Sequence, residues 1–472
     1  MNQLNFNKLN KLFIFISLIF LSYLFSNVAV LGVSPTIYVL LLITILLLFL
    51  RSGIGFLIFI YIVLYPLGDI LPNEAILLPG INITEIISLM LILKYFMSFS
   101  IKSFNFTQTQ KLAMALSFFF LVIYFPTYLI KHYFIYGTDW IPVLKIITRV
   151  LKVVIQFICI FIIIDCFNKS SIIQTWIKKG IIFGFIFLGL NIFLTPIFLE
   201  LGMSIGSPED YIKGEILESR SVGLFQGNAN YLAHYMLVGI GFFLSVIEKK
   251  RSKIIFFGLI VVFSAILLSA SRAGFICAVF LLLLFSIRNV FFKRRLLMPI
   301  SIMILMIVIF QFFGGYLSER LSLFQNDLEM NIENYNRYKY QMYYFDEMMQ
   351  NKALLLSGHW DKSTLFTQQL AGWKQWRIPH NQYFGMVFWG GLPYLFAFLI
   401  ILFKIFNCNR KIVNSQRGVS IIYSLFAFSF MYLFNPNQFI NYFPIFMILS
   451  AQYFEIPNKI RSNNSGLPII NS

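Results

Sequence analysis

The sequence predicts an all-α, polytopic integral membrane protein with about 14 (12–14) transmembrane helices and one large loop on the outer face. Composition is the first observation behind this fold class. The 472 residues are 59% hydrophobic, 18% aromatic and only 12% charged, whereas soluble domains carry roughly 25% charged residues. The second is that apolar stretches of about 16 to 25 residues recur along the whole chain, the length needed to cross a bilayer core. The third is that the basic residues sit between those stretches and cluster at alternate connections.

In chain order the expected spans are approximately 12–31, 34–50, 53–71, 81–99, 112–131, 146–166, 180–199, 229–247, 254–269, 273–291, 296–313, 382–403, 418–434 and 438–454. Lys8 and Lys11 precede the first apolar run, and no small-x-small cleavage site follows it, so it reads as a span and not as a signal peptide. At 1.5 Å per residue the stretch 254–269 covers only about 24 Å, which calls for local thinning or a broken helix there. Residues 1–200 read as an N-terminal transmembrane bundle, 201–454 as a second membrane region containing the long loop 314–379, and 455–472 as a cytoplasmic tail.

Alternation leaves two orientations. With the N-terminus inside, 23 of the 37 Lys/Arg face the cytoplasm, and seven of the remainder lie in the long loop, which weighs little in the positive-inside rule. "KKRSK" (249–253), "KRR" (293–295) and "NRK" (409–411) then all fall inside. Both termini are therefore expected in the cytoplasm. The net charge of +18 is scattered between apolar runs, without a basic tail or patch, so it reads as topology and not as a nucleic-acid footprint. Cys159, Cys166, Cys277 and Cys408 lie in or beside spans with no CxxC pair, which implies neither a disulfide framework nor a metal site.

Arg272 interrupts "LLSASRAGFICAVFLLLLF" (267–285), and a charge in a bilayer core costs at least a few kcal/mol. Only 39 residues separate the two inner clusters that flank it, a length that fits a helical hairpin with its tip outside. "SASRAG" is that tip, with Ser269, Ser271 and Gly274 permitting a turn. The plainer alternative is an arginine snorkelling to lipid headgroups. On the sixth span, Lys145, Arg149 and Lys152 are spaced i, i+4, i+7 and share one helical face at its outer end. A basic stripe there suits a lipid diphosphate, or else ordinary anionic lipids.

Two outer segments are long enough to carry function: about 200–228, and the 66 residues of 314–379, which hold twelve aromatics. Trp360, Trp373 and Trp376 either stack on sugar rings or form an interfacial belt. There is no outward Asp-x-Asp for a metal and no phosphate-cradling Gly-rich loop.

"SRSVGLFQGNANYLAHYMLVGIGF" (219–242), "LLSASRAGF" (267–275), "NRYKYQMYYFDEMMQNKALLLSGHW" (336–360) and "PHNQYFGMVFWGGLPYLF" (379–396) occur in that order. Together they resemble the O-antigen ligase and O-antigen polymerase superfamily of bacterial inner-membrane glycosyltransferases. Its members show an Arg-x-x-Gly before an Asn-rich span entry, a Ser-x-Ser-Arg hairpin and a large periplasmic loop with an Arg-led helix ending near a glycine. A His-Asn then opens the next span, often with a glycine eleven residues on, here Gly391 after His380. The likeness covers roughly 220–400; before that only the span pattern is similar.

The resemblance implies transfer at the periplasmic face of the inner membrane. The donor would be an undecaprenyl-diphosphate-linked oligosaccharide and the acceptor a glycan or lipid A core, with no metal, nucleotide or other cofactor and with a chain-length regulator as a further partner. A diphosphate leaving group without a metal needs fixed cations as charge develops. Arg220, Arg272 and Arg337 are the candidates, permanently protonated and able to grip phosphate bidentately. Lys145, Arg149 and Lys152 would hold the carrier. His380, at the family's His-Asn position, is the candidate general base; His359 is a second, and His234, inside a span, reads as structural. Asn228, Asn230 and Asn381 either orient sugar hydroxyls or cap the helices they precede.

Three functions follow. A repeat-unit polymerase is favoured by the fourteen spans and the irregular middle. A ligase, passing finished glycan to lipid A core or to a protein hydroxyl, uses the same donor chemistry, and the His-to-Gly spacing leans toward it. A flippase or transporter is disfavoured, because there is no internal repeat and no pair of corresponding Gly/Pro-broken helices.

Overall fold

The computed structural model describes residues 51–67, 83–98, 140–193, 229–249, 252–269, 271–293, 345–346, 348–350, 352–358 and 381–413, with Leu47, Ile304 and Gln311. Every regular element among them is helical. In chain order they are α1 (Ile54–Leu64, closed by a 3-10 turn at Tyr65–Leu67), α2 (Ile83–Ser98), α3 (Trp140–Lys169), α4 (Ser171–Phe193), α5 (Ala229–Lys249), α6 (Lys253–Leu268), α7 (Arg272–Lys293), α8 (Lys352–Ser357) and α9 (Gln382–Val413). Of these, α4 is long and apolar enough to cross a membrane by length and composition. Ile54–Leu64, Tyr231–Leu244, Lys253–Leu268, Ala273–Asn289 and Gly390–Ile400 are shorter apolar helical stretches.

Eight expected spans coincide with helices, while 12–31, 34–50, 112–131, 296–313, 418–434 and 438–454 lie outside the described residues apart from single positions. The largest shift at the start of a span is at 180–199, where α4 begins at Ser171. Lys178 and Lys179 read as a connection in sequence, but both are exposed on the helix, and the Lys179 Nζ lies 5.4 Å from the centre of the Trp176 ring. Ser170 alone joins α3 to α4. Its N–H continues the α3 ladder to the Cys166 carbonyl at 3.1 Å, and its own carbonyl accepts from Gln174 N at 3.0 Å, so one residue ends one helix and starts the next.

The chain clusters into two compact units, 1–104 with 155–232 and 105–154 with 233–472. In the first unit α1 is buried on almost every side, as expected for a helix apolar all round. It is parallel to α4, with Gly55 against Trp176, Phe59 against Gly180 and Val63 against Gly184. Gly180 and Gly184 form a small-xxx-small stripe that lets the two backbones approach. A Cβ on Gly180 would stand 3.3 Å from the Phe59 Cα. Phe56 and Phe59 both meet Trp176 edge-on, at 5.7 and 5.8 Å between ring centres. The second parallel pair is α2 with α3: Cys159 Sγ donates to the Ser88 carbonyl at 3.6 Å, and Tyr95 meets Asp165.

In the second unit, residues 233–244 of α5 are buried throughout. Phe243 covers Gly258 of α6, where a Cβ would come within 2.5 Å of the ring. Phe263 and Phe275 face each other across the α6–α7 turn at 6.3 Å. The helix α9 is broken at Gly391 (φ 74, ψ −175), two residues before Pro393, and that combination of residues is the usual cause of a sharp break.

Candidate functional site

The turn between α6 and α7 is built by two serines. Ser269 N–H bonds the Ala265 carbonyl at 3.0 Å and its hydroxyl donates to the Ile266 carbonyl at 2.7 Å, closing α6. Ser271 opens α7: its hydroxyl oxygen accepts from Gly274 N at 3.3 Å, and its carbonyl accepts from Phe275 N at 2.9 Å. Ser271 is thus an N-cap in the usual sense, satisfying an N–H that the helix leaves open. Both serines are buried. A turn is therefore present at "SASRAG", with Arg272 as the first residue of α7. A helix N-terminus carries about half a positive charge, so a cation there is unfavourable unless an anion arrives.

Gly274, one turn into this end of α7, lies against Ala233, near the start of α5; a Cβ on Gly274 would be 2.5 Å from that of Ala233. Close approach of small residues fixes the opening of α7 against α5. His234 is fully buried beside this contact in sequence, in keeping with a structural role.

Asn381 sits immediately before α9, and its Oδ1 accepts from Tyr383 N at 2.9 Å and Phe384 N at 3.3 Å. It is a helix cap. Lys145, Arg149 and Lys152 fall in the first turns of α3, which starts at Trp140, and share a face by their spacing. Asn230 is the second residue of α5. The side chains of these four residues and of Arg272 lie outside the described residues, as do Arg220, Arg337, His380 and Asn228 altogether. Among the described residues no three His, Cys, Asp or Glu side chains gather as a metal-binding group.

A polar cluster absent from the sequence reading lies in the first unit. Asp165 is fully buried; it accepts the Tyr95 hydroxyl proton at 2.6 Å and pairs with Lys169 at 2.6 Å. The signal was present in "FIIIDCFNK" (161–169), a lone carboxylate at the end of an apolar run with a lysine four residues on. Glu85, at the head of α2, is also buried, beside Thr84 and one turn before Ser88, whose hydroxyl donates to the Thr84 carbonyl at 2.6 Å.

No protein-family model matches the chain, and no curated protein matches it.

Proposed function

We propose that this chain is a membrane glycosyltransferase of about fourteen spans that joins lipid-linked glycan repeat units at the outer face of a bacterial inner membrane. In this reading a sugar hydroxyl of the acceptor attacks the anomeric carbon of the undecaprenyl-diphosphate-linked donor. The bond from that carbon to the diphosphate oxygen breaks, its electron pair leaves with undecaprenyl diphosphate, and His380 takes the hydroxyl proton. Arg220, Arg272 and Arg337 balance the charge that develops on the leaving group, and Lys145, Arg149 and Lys152 hold the carrier.

The observation that carries the reading is the Ser269–Ser271 turn, with Arg272 as the first residue of a capped helix. A guanidinium at that position calls for an anion, and a diphosphate supplies one. Two parallel helix pairs support the alternation of spans. In the expected topology α1 and α4 both run outward and α2 and α3 both run inward, which is the relative direction each pair has.

The test is the polysaccharide of cells lacking this chain. A polymerase deletion leaves a single repeat unit on the acceptor, which is the expected result. Long chains accumulating on the lipid carrier would make the protein a ligase, and repeat units retained on the cytoplasmic side would make it a flippase.

A further inference from the structure

The break in α9 has a partner. The atoms nearest to a Cβ built on Gly391 are the carbonyl oxygen and carbon of Leu356, the latter at 2.5 Å, and the carbonyl oxygen of Leu355 at 2.8 Å. These are the closing carbonyls of α8, which ends at Ser357 and is followed by Gly358 (φ 68). Eleven residues before Leu356, Phe345 stacks edge-on with Phe384 at 6.5 Å. Phe384 lies in the first turn of α9, just past the Asn381 cap. The pairs 345–384 and 356–391 advance together, so the segment 345–358 runs beside the opening turns of α9 and away from its capped end. Gly391 is ten residues past Asn381, or about 15 Å along a helix axis, against a hydrocarbon core of about 30 Å.

We propose that residues 345–358 are the descending arm of a re-entrant segment, seated near the bilayer midplane on the Gly391 break, and that Gly391 is the positioning residue that fixes its depth. The inference rests on the membrane reading above and deepens it: the long outer loop does not lie over the membrane but dips into it. Non-helical backbone at membrane depth is tolerated only where protein covers it or a water-filled cavity meets it. Here Gly390 and Gly391 are both buried, and α8 lies on the break. Leu356, 68% exposed at the far end of the arm, is suited to lipid. Only glycine fits position 391: its φ is in the left-handed region, and the atoms a side chain would strike are backbone, which cannot swing aside. Phe345, against Phe384, and the Asn381 cap thus both lie at the opening end of α9. The arm is thereby held at a fixed height relative to Asn381.

The test uses the full-length chain in native membrane vesicles, with its own cysteines replaced by alanine and single cysteines introduced. Asp346→Cys, at the exposed start of the arm, should react with a membrane-impermeant maleimide from outside. Leu356→Cys should resist that reagent, and a bimane attached to it through a permeant maleimide should be quenched by lipids brominated near mid-chain. Adding Gly391→Ala should raise labelling of the Leu356→Cys thiol several-fold and lower polymer output, with the amount of protein in the membrane unchanged. Equal labelling of Asp346→Cys and Leu356→Cys in the protein that keeps Gly391 would overturn the proposal, and that arm decides alone if the Gly391→Ala chain is not recovered. Labelling of Asp346→Cys only from the cytoplasmic side would instead overturn the outward-facing function, while a protected Leu356→Cys would still support the seat on Gly391.

Discussion

The phenolic hydroxyl of Tyr95 on α2 donates to Oδ2 of Asp165 on α3 at 2.6 Å, and Lys169 Nζ reaches the same oxygen at 2.6 Å. Tyr95 and Asp165 are almost fully buried, and the Lys169 side chain is 16% exposed. Away from water a carboxylate is tolerated only when paired and hydrogen-bonded. The trio therefore ties two parallel helices through one charged atom.

Removing one member should cost more than removing all three. Tyr95→Phe takes away a hydrogen bond to a charged group and should lower stability by about 1.5–3 kcal/mol. Lys169→Met leaves the carboxylate without its counter-charge and should cost about 3 kcal/mol or more. Combining Tyr95→Phe, Asp165→Leu and Lys169→Met should recover most of the loss. Thermal unfolding of the detergent-solubilised protein measures each step; strictly additive losses would deny the coupling.

A second pair tests the packing at the head of α7. Gly274→Ala places a methyl group 2.5 Å from the Ala233 Cβ, an overpacking that should cost about 1–3 kcal/mol. Ala233→Gly in the same chain vacates that space and should restore the melting temperature and the polymer yield together. No rescue would mean that the two helices are not held by this contact.

Arg272 and Ser271 are separable. Arg272→Lys keeps the positive charge but loses the bidentate fork, so membrane levels should hold while turnover falls strongly. Ser271→Ala removes the cap and should cost about 1 kcal/mol of stability, with Ser271→Asp restoring it. Wild-type turnover with lysine at 272, read from polysaccharide synthesis, would remove the phosphate-gripping role.

The α1–α4 contact gives a graded prediction. At Gly180 a Cβ meets the Phe59 backbone at 3.3 Å, whereas at Gly184 the nearest atom is the Val63 Cα at 3.5 Å, an ordinary contact. Gly184→Ala should be nearly neutral. Gly180→Leu should push the backbones apart and destabilise by about 1–3 kcal/mol. Equal melting temperatures for the two variants would contradict the parallel packing.

How much the sequence disclosed depends on how far each feature reaches along the chain. The Ser269–Arg272 turn and the Asn381 cap were legible because caps and turns are set by neighbours within a few residues. The start of α4 was not: Lys178 and Lys179 resemble a connection until Trp176 and the exposed face of the helix are seen. The trio around Asp165 was half legible, since Lys169 lies one turn away and Tyr95 lies 70 residues away.

By itself the sequence determined the helical character, the positions of eight helices and the turn that precedes Arg272, because hydrophobic run length, cap residues and the placement of basic clusters are properties of a single line of residues. Only the tertiary structure decided that α1 lies parallel to α4, that Asp165 is bound by Tyr95, and that Gly391 receives the carbonyls of Leu355 and Leu356. Each of those depends on shape and charge matching between segments far apart in the chain, and no local period encodes it.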